Sequence, residues 1–231
     1  SNFVYNHIGH FAAAGEAFAK ALFLGGVTHR FPDLKFCFLE GGVGWAANLY
    51  NDLCEHWEKR NMTALRANLD PNSVDRAQMR ALFEEYGNAQ YKGHAAEIEK
   101  GYDHPLMAPT GEEPEPSDEF SACGISEGRD IYKRFVPNFY FGCEADDRMA
   151  ATAFNPRLNH FDARLKAMFG SDVGHFDVSD MTHVLAEAYE LVEHELITQD
   201  DFRDFTFTNT AELHASMNPN FFKGTVVEHD V

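Results

Sequence analysis

The sequence predicts an α/β fold built on a parallel sheet, and three observations predict it. Short apolar runs, KFCFL at 35–39, FYFGC at 139–143 and KAMFG at 166–170, read as buried strands punctuated by glycine. Segments with apolar residues at helical spacing stand between them. Acids or histidines follow each run at once, where an α/β sheet presents groups at the carboxyl ends of its strands.

In chain order, residues 2–8 read as a first strand, with Phe3, Val4 and Tyr5, ending in HIGH at 7–10. Residues 15–24 read as a helix with Phe18, Leu22 and Ala21 or Gly25 along one face, stopped by Gly25 and Gly26. Phe31-Pro32-Asp33-Leu34 is a turn. The second strand, 35–39, ends at Glu40 before Gly41 and Gly42. Residues 46–59 place Leu49, Leu53 and Trp57 on one side of a helix. The region 61–134 differs. Charged helices are expected over 75–86 and 89–100, and PLMAPTGEEPEPSDE (105–119) reads as an extended surface loop. The whole region is expected to be an insertion on the outside of the domain, a lid or an interface, with a short helix over 126–135. The third strand, 139–143, is tipped by Glu144, Asp146 and Asp147, and the fourth is 166–170. After it, Ser179 is placed to cap a helix carrying Asp180 in its first turn and Met181, Val184, Leu185, Ala188, Leu191 and Val192 at helical spacing. The tail is expected to be helical over 209–217 and extended over 221–227. Four strands alternating with helices read as a parallel sheet in one domain, 1–231.

The chain has 231 residues, enough for one substantial core, and its 21 phenylalanines make that core aromatic. A net charge of -18 argues against nucleic acid and anionic membranes, which require an excess of Lys and Arg, and is compatible with divalent cations. The four cysteines form no CxxC pair, and Cys37 and Cys143 read as small buried hydrophobes. Reduced thiols and a cytoplasmic protein are expected. No apolar run has membrane-spanning length.

The strand tips carry, in order, His7 with His10 nearby, Glu40, Glu144 with Asp146 and Asp147, and Asp172 with His175 and Asp177. Histidine and carboxylate together suit a divalent metal, zinc foremost, with manganese or iron as alternatives. Each residue also has a plainer reading. His7 or His10 alone reads as a core histidine bonded to backbone, Asp147 as a helix N-terminal acid, and Asp172 as a turn cap. For His175 and Asp177, facing substrate and bracing the loop are equal alternatives. Glu40 is harder to dismiss, because an acid between KFCFL and two glycines is costly to bury without a partner. His160, His183, His194 and His214 read as surface or packing residues.

The stretch GGVTHRFPDLKFCFLEGG (25–42) resembles a signature of the amidohydrolase superfamily, closest to the branch of aminocarboxymuconate-semialdehyde decarboxylase and related enzymes. KAMFGSD (166–172) resembles that family's final strand, and TNTAELH (208–214) its closing helix. The resemblance implies a metal-dependent enzyme. The family's fifth-strand histidine falls on His7, with His10 as fallback. Its sixth-strand histidine falls on Glu40, a departure. Its eighth-strand aspartate, which binds metal and moves the proton of the attacking water, falls on Asp172. The first-strand His-x-His pair has no counterpart, so the chain matches the second half of an eightfold barrel, and a truncated or partial sequence is expected. Four strands leave both sheet edges open, so association between copies, a homo-oligomer, is also expected.

These readings predict a metal-dependent hydrolase acting on a small carboxylated or cyclic substrate, or a non-oxidative decarboxylase on the same scaffold. His7, His10, Glu40 and Asp172 are the expected metal set, Asp172 and His175 the catalytic pair, and Glu144 and Asp177 the substrate contacts. The rival is a non-catalytic relative whose metal site has decayed and whose acidic insertion binds a partner.

Overall fold

Phe139–Cys143 (β2), the most apolar run, is the centre of the sheet, and all five of its residues are buried. The computed structural model describes residues 2–70, 73–97 and 118–231. Phe36–Phe38 (β1) and Lys166–Phe169 (β3) flank β2 in the order β1-β2-β3, both parallel to it. The register pairs Phe36 with Phe139 and Phe38 with Phe141, and sets Phe141 beside Ala167.

That register stacks the rings on one sheet face. Phe38 lies on Phe141 at 5.8 Å, Phe36 meets Phe139 at 5.9 Å, and Phe135 meets Phe139 edge-on at 4.9 Å. Phe23 from helix His10–Leu24 and Tyr50 from helix Gly44–Arg60 close over Phe135. On the other face Tyr140 and Met168 pack with Leu213 of helix Asn209–Met217. Asn209 Nδ2 donates to the Ala167 carbonyl at 2.8 Å, which ties this helix to β3.

Buried asparagines fix the loops that aim the strands. Asn138 donates to the carbonyls of Pro32 and Leu34 at 2.8 and 2.7 Å, while its own carbonyl accepts from Phe36 N. The entries to β1 and β2 are thereby clipped together. Asn159 donates to Thr152 O and Ala163 O and accepts from Asn51, so helix Gly44–Arg60 holds the approach to β3.

The four-stranded half of a (β/α) barrel expected from the sequence is not formed. Among the described residues the sheet has three parallel strands and is neither closed nor strongly curled. The first expected strand is helix Phe3–His7, because Asn2 Oδ1 accepts from Tyr5 N at 2.9 Å and caps a helical turn. That local bond outweighs the β-propensity of a three-residue apolar run. Three strands cannot supply the strand number and stagger that closure requires.

Smaller corrections have local causes. Asp180 accepts from both the amide and the hydroxyl of Thr182, so the chain turns there and the helix begins at Val184 rather than at Asp180 after a Ser179 cap. Residues 221–227 form turns, not an extended segment, with Phe221 stacked on His214 at 4.4 Å. Cys37 is exposed, whereas Cys143 is buried as expected. The helix expected over 89–100 begins as turns over 89–93, its residues 98–100 lie outside the described residues, and so does most of the loop at 105–119.

The chain divides into two compact units, Ser1–Glu55 with Ser121–Val231, and His56–Phe120. In the second, helix Arg76–Tyr86 is capped by Asp75, and Arg60 forms a two-pronged pair with Glu119.

Helix Arg129–Phe135 is anchored by Asp130, a buried acid. Its Oδ2 accepts from the Ser126 hydroxyl and amide and from Glu127 N, and its Oδ1 from Lys133 at 2.8 Å. Burial alone would raise its pKa, but these donors outweigh burial and hold the carboxyl well below the usual range. A depressed folded-state pKa stabilises above the unfolded value of about 3.9, and that stabilisation is lost as pH falls below it. Asp130→Asn is therefore expected to cost about 2 kcal/mol at neutral pH. The gap to the parent chain should narrow below about pH 4, as read by urea unfolding.

Candidate metal centre

A cleft of about 290 Å³ opens at the carboxyl ends of the three strands. Glu40 reaches it after β1, Glu144 after β2 and Asp172 after β3. His7, from helix Phe3–His7, lines it from the other side, together with Ile8, Phe11 and Ala12.

The turns that present these acids are unusual. Glu40 and Asp172 have left-handed backbones, with φ of 61° and 48°. Such conformations are sparsely populated for residues with a side chain and persist where surrounding structure holds them. At the first, Gly42 N donates to Gly142 O at 3.1 Å. Gly42 itself has φ +66°, and a methyl group there would stand 2.5 Å from Asp147 Oδ2. Only glycine lets the β1 tip approach Asp147 this closely. At the second, Gly170 N donates to Cys143 O at 2.8 Å and extends the sheet ladder, and His175 N then donates to Asp172 O at 3.1 Å and closes the turn.

Closing that turn gathers Asp172, His175 and Asp177. One ligand atom from each lies within 4.8 Å of the others, a cluster that can chelate a divalent ion. His175 Nδ1 stands 3.3 Å from Asp172 Oδ2 and is hydrogen bonded to Asp177 Oδ1. That bond, with the charges of Asp172, Asp177 and Glu40, raises the pKa of His175 above its ordinary value. In return the imidazole holds Asp177 below the usual carboxylate range. Glu144 is shifted the other way: burial raises it first, and the neighbouring charges of Asp146, Asp172, Asp177 and Glu40 add to the shift.

Of the seven residues singled out by sequence, six line this cleft: His7, Glu40, Glu144, Asp172, His175 and Asp177. His10 does not; its Nδ1 donates to the His7 carbonyl at 2.5 Å and its ring packs on Phe11 at 4.0 Å. The cluster of ligand atoms takes in Asp172 but not His7 or Glu40, and it adds His175 and Asp177. Asp147 caps the turn Arg148–Ala150 through a 2.9 Å bond from Met149 N, as an N-terminal acid should, and it also lines the cleft. Its position four residues past β2 was the available signal for that second place. The aromatic rings beside the lining histidines carried none: Phe3 stacks on His7 at 4.7 Å, and Phe176 lies 4.8 Å from His175 and meets Phe3 at 6.2 Å.

The geometry defines a class: an open α/β sheet with a cluster able to chelate metal at its strand tips. No family model, curated protein or solved structure matches the chain. No helix among the described residues is long and apolar enough to cross a membrane.

Proposed function

We propose that this chain is a metal-dependent hydrolase acting on a small cyclic substrate, with Asp172, His175 and Asp177 holding the ion. The observation that carries the reading is the convergence of those three donors inside a strand-tip cleft. Imidazole and carboxylate donors suit zinc, and manganese or iron accept the same set. A divalent ion there would supply Lewis acidity and a water nucleophile near neutral pH.

The chain's own residues do the rest. In the metal-free chain Asp177 steadies the His175 ring through their hydrogen bond, and an ion held by both residues would take that proton's place. Glu144, held above its ordinary pKa, is suited to take a proton and pass it to a leaving group. Phe11 and Ile8 offer the apolar wall against which a ring packs. The resemblance of KAMFGSD to the last strand of amidohydrolases supports the assignment of Asp172. Decarboxylation is the weaker alternative, since its substrate is a carboxylate and the described lining offers no Lys or Arg to receive one.

Calorimetric titration of the metal-free chain with Zn²⁺ tests the reading. Binding requires His175 to release its proton. Because Asp177 holds that proton above the ordinary value of about 6.5, affinity should rise with pH through a point above that value and then level off. A flat profile from about pH 5.5 to about pH 8.5, or no binding at all, contradicts it and favours a non-catalytic relative with a decayed site.

A further inference from the structure

Resting on that reading of the cleft, we infer that its ligand is a small ring bearing a positive charge, not a carboxylate. The first observation is the charge of the wall. Five carboxylates line the cleft, Glu40, Glu144, Asp147, Asp172 and Asp177, against two histidines and, among the described lining residues, no Lys or Arg. A divalent ion held by Asp172, His175 and Asp177 offsets two of those charges. Glu40, Glu144 and Asp147 remain, and among the described residues no Lys or Arg lines the cleft beside them. Like charges this close repel: burial is the first cause that raises the Glu144 carboxyl, and the charges of Asp146, Asp172, Asp177 and Glu40 add to it. A ligand cation relieves the repulsion, whereas a ligand carboxylate adds to it.

The second observation is independent of charge. Phe11 lines the cleft, and two further rings pack on the histidines that line it: Phe3 stacks on His7 with an interplanar angle of 20°, and Phe176 lies 4.8 Å from His175 and edge-on to Phe3. Phe3 and Phe176 are 59% and 77% exposed. Aromatic faces attract both apolar rings and organic cations. The cleft volume of about 290 Å³ is at the small end of ligand sites and suits one ring.

The surroundings guide the same charge inward. A neighbouring trough of about 650 Å³ shares Glu144, Asp172 and Asp177 with the cleft and continues along Glu187, Glu190 and Glu193. Funnels of one sign concentrate ligands of the other and speed their capture.

The test compares three ligands of one ring on the zinc-loaded chain: benzyltrimethylammonium, benzyl alcohol and phenylacetate. The quaternary cation cannot ligate the metal, so its binding reports the wall and the rings. It is expected to bind about tenfold or more tighter than phenylacetate, a preference worth about 1.4 kcal/mol. Added salt should shrink that preference, and Glu144→Gln and Glu40→Gln should each reduce it several-fold with circular dichroism unchanged. Phenylacetate binding as well as the cation, or a preference that both variants leave intact, overturns the inference. The metal reading fails separately. A chain that takes up no zinc but still prefers the cation refutes the hydrolase and keeps the charge selectivity. A chain that takes up one ion and prefers phenylacetate does the reverse.

Discussion

Exchanging His175 for alanine will abolish tight divalent-metal binding while leaving the fold intact. Removing an outer hydrogen-bond partner of a metal ligand typically costs about 10- to 100-fold in affinity, and removing one of three ligands exceeds that. Asp172→Asn and Asp177→Asn should act alike, because each removes an anionic donor from the same cluster. The three side chains are 46%, 32% and 43% exposed, so little packing depends on them. Surface substitutions of this kind usually move stability by less than about 0.5 kcal/mol. His94→Ala is the control, a histidine that stands 3.5 Å from exposed Glu97, and it should leave affinity unchanged. Calorimetry with Zn²⁺ reads the affinities and thermal melting reads the folds. A His175→Ala chain that binds as tightly as its parent would remove the cluster from the mechanism.

The second large effect is on stability. Phe135 is fully buried, with ring centroids of Phe139, Tyr50, Phe23 and Phe141 at 4.9, 5.4, 6.1 and 6.2 Å. It joins the sheet to both helices that cover it. Phe135→Ala removes a large transfer term and leaves a cavity among rigid rings, so about 3–5 kcal/mol of stability should be lost. Phe176→Ala, at an exposed ring beside His175, should be close to neutral. Urea unfolding of the two variants separates the core ring from the surface ring. Equal losses would mean that the aromatic layer is not the core.

The sheet was legible because its strands announce themselves. FYFGC and KAMF are continuous apolar runs, as strands buried on both faces must be, and both appear where the pattern places them. FVY was misread because three apolar residues are too few to outvote one side-chain cap from Asn2. The half-barrel came from strand counting and from resemblance, and strand count is a global property that no local pattern encodes. The site divides in the same way. Acids directly after β1, β2 and β3 were readable as strand-tip groups, and they share one cleft. Which of them meet was not readable, since that depends on backbone turns. The left-handed Asp172 and Gly174, at φ 48° and 108°, fold residues 172–177 back so that His175 and Asp177 reach Asp172. His7 reaches the cleft from helix Phe3–His7, where the apolar run FVY reads as a strand.

The most direct measurement of the central claim is anomalous diffraction from crystals of the chain grown with Zn²⁺. The expected result is one peak per chain at about 2 Å from a carboxylate oxygen of Asp172, a ring nitrogen of His175 and a carboxylate oxygen of Asp177. A peak coordinated by other residues, or no peak at saturating zinc, would contradict it.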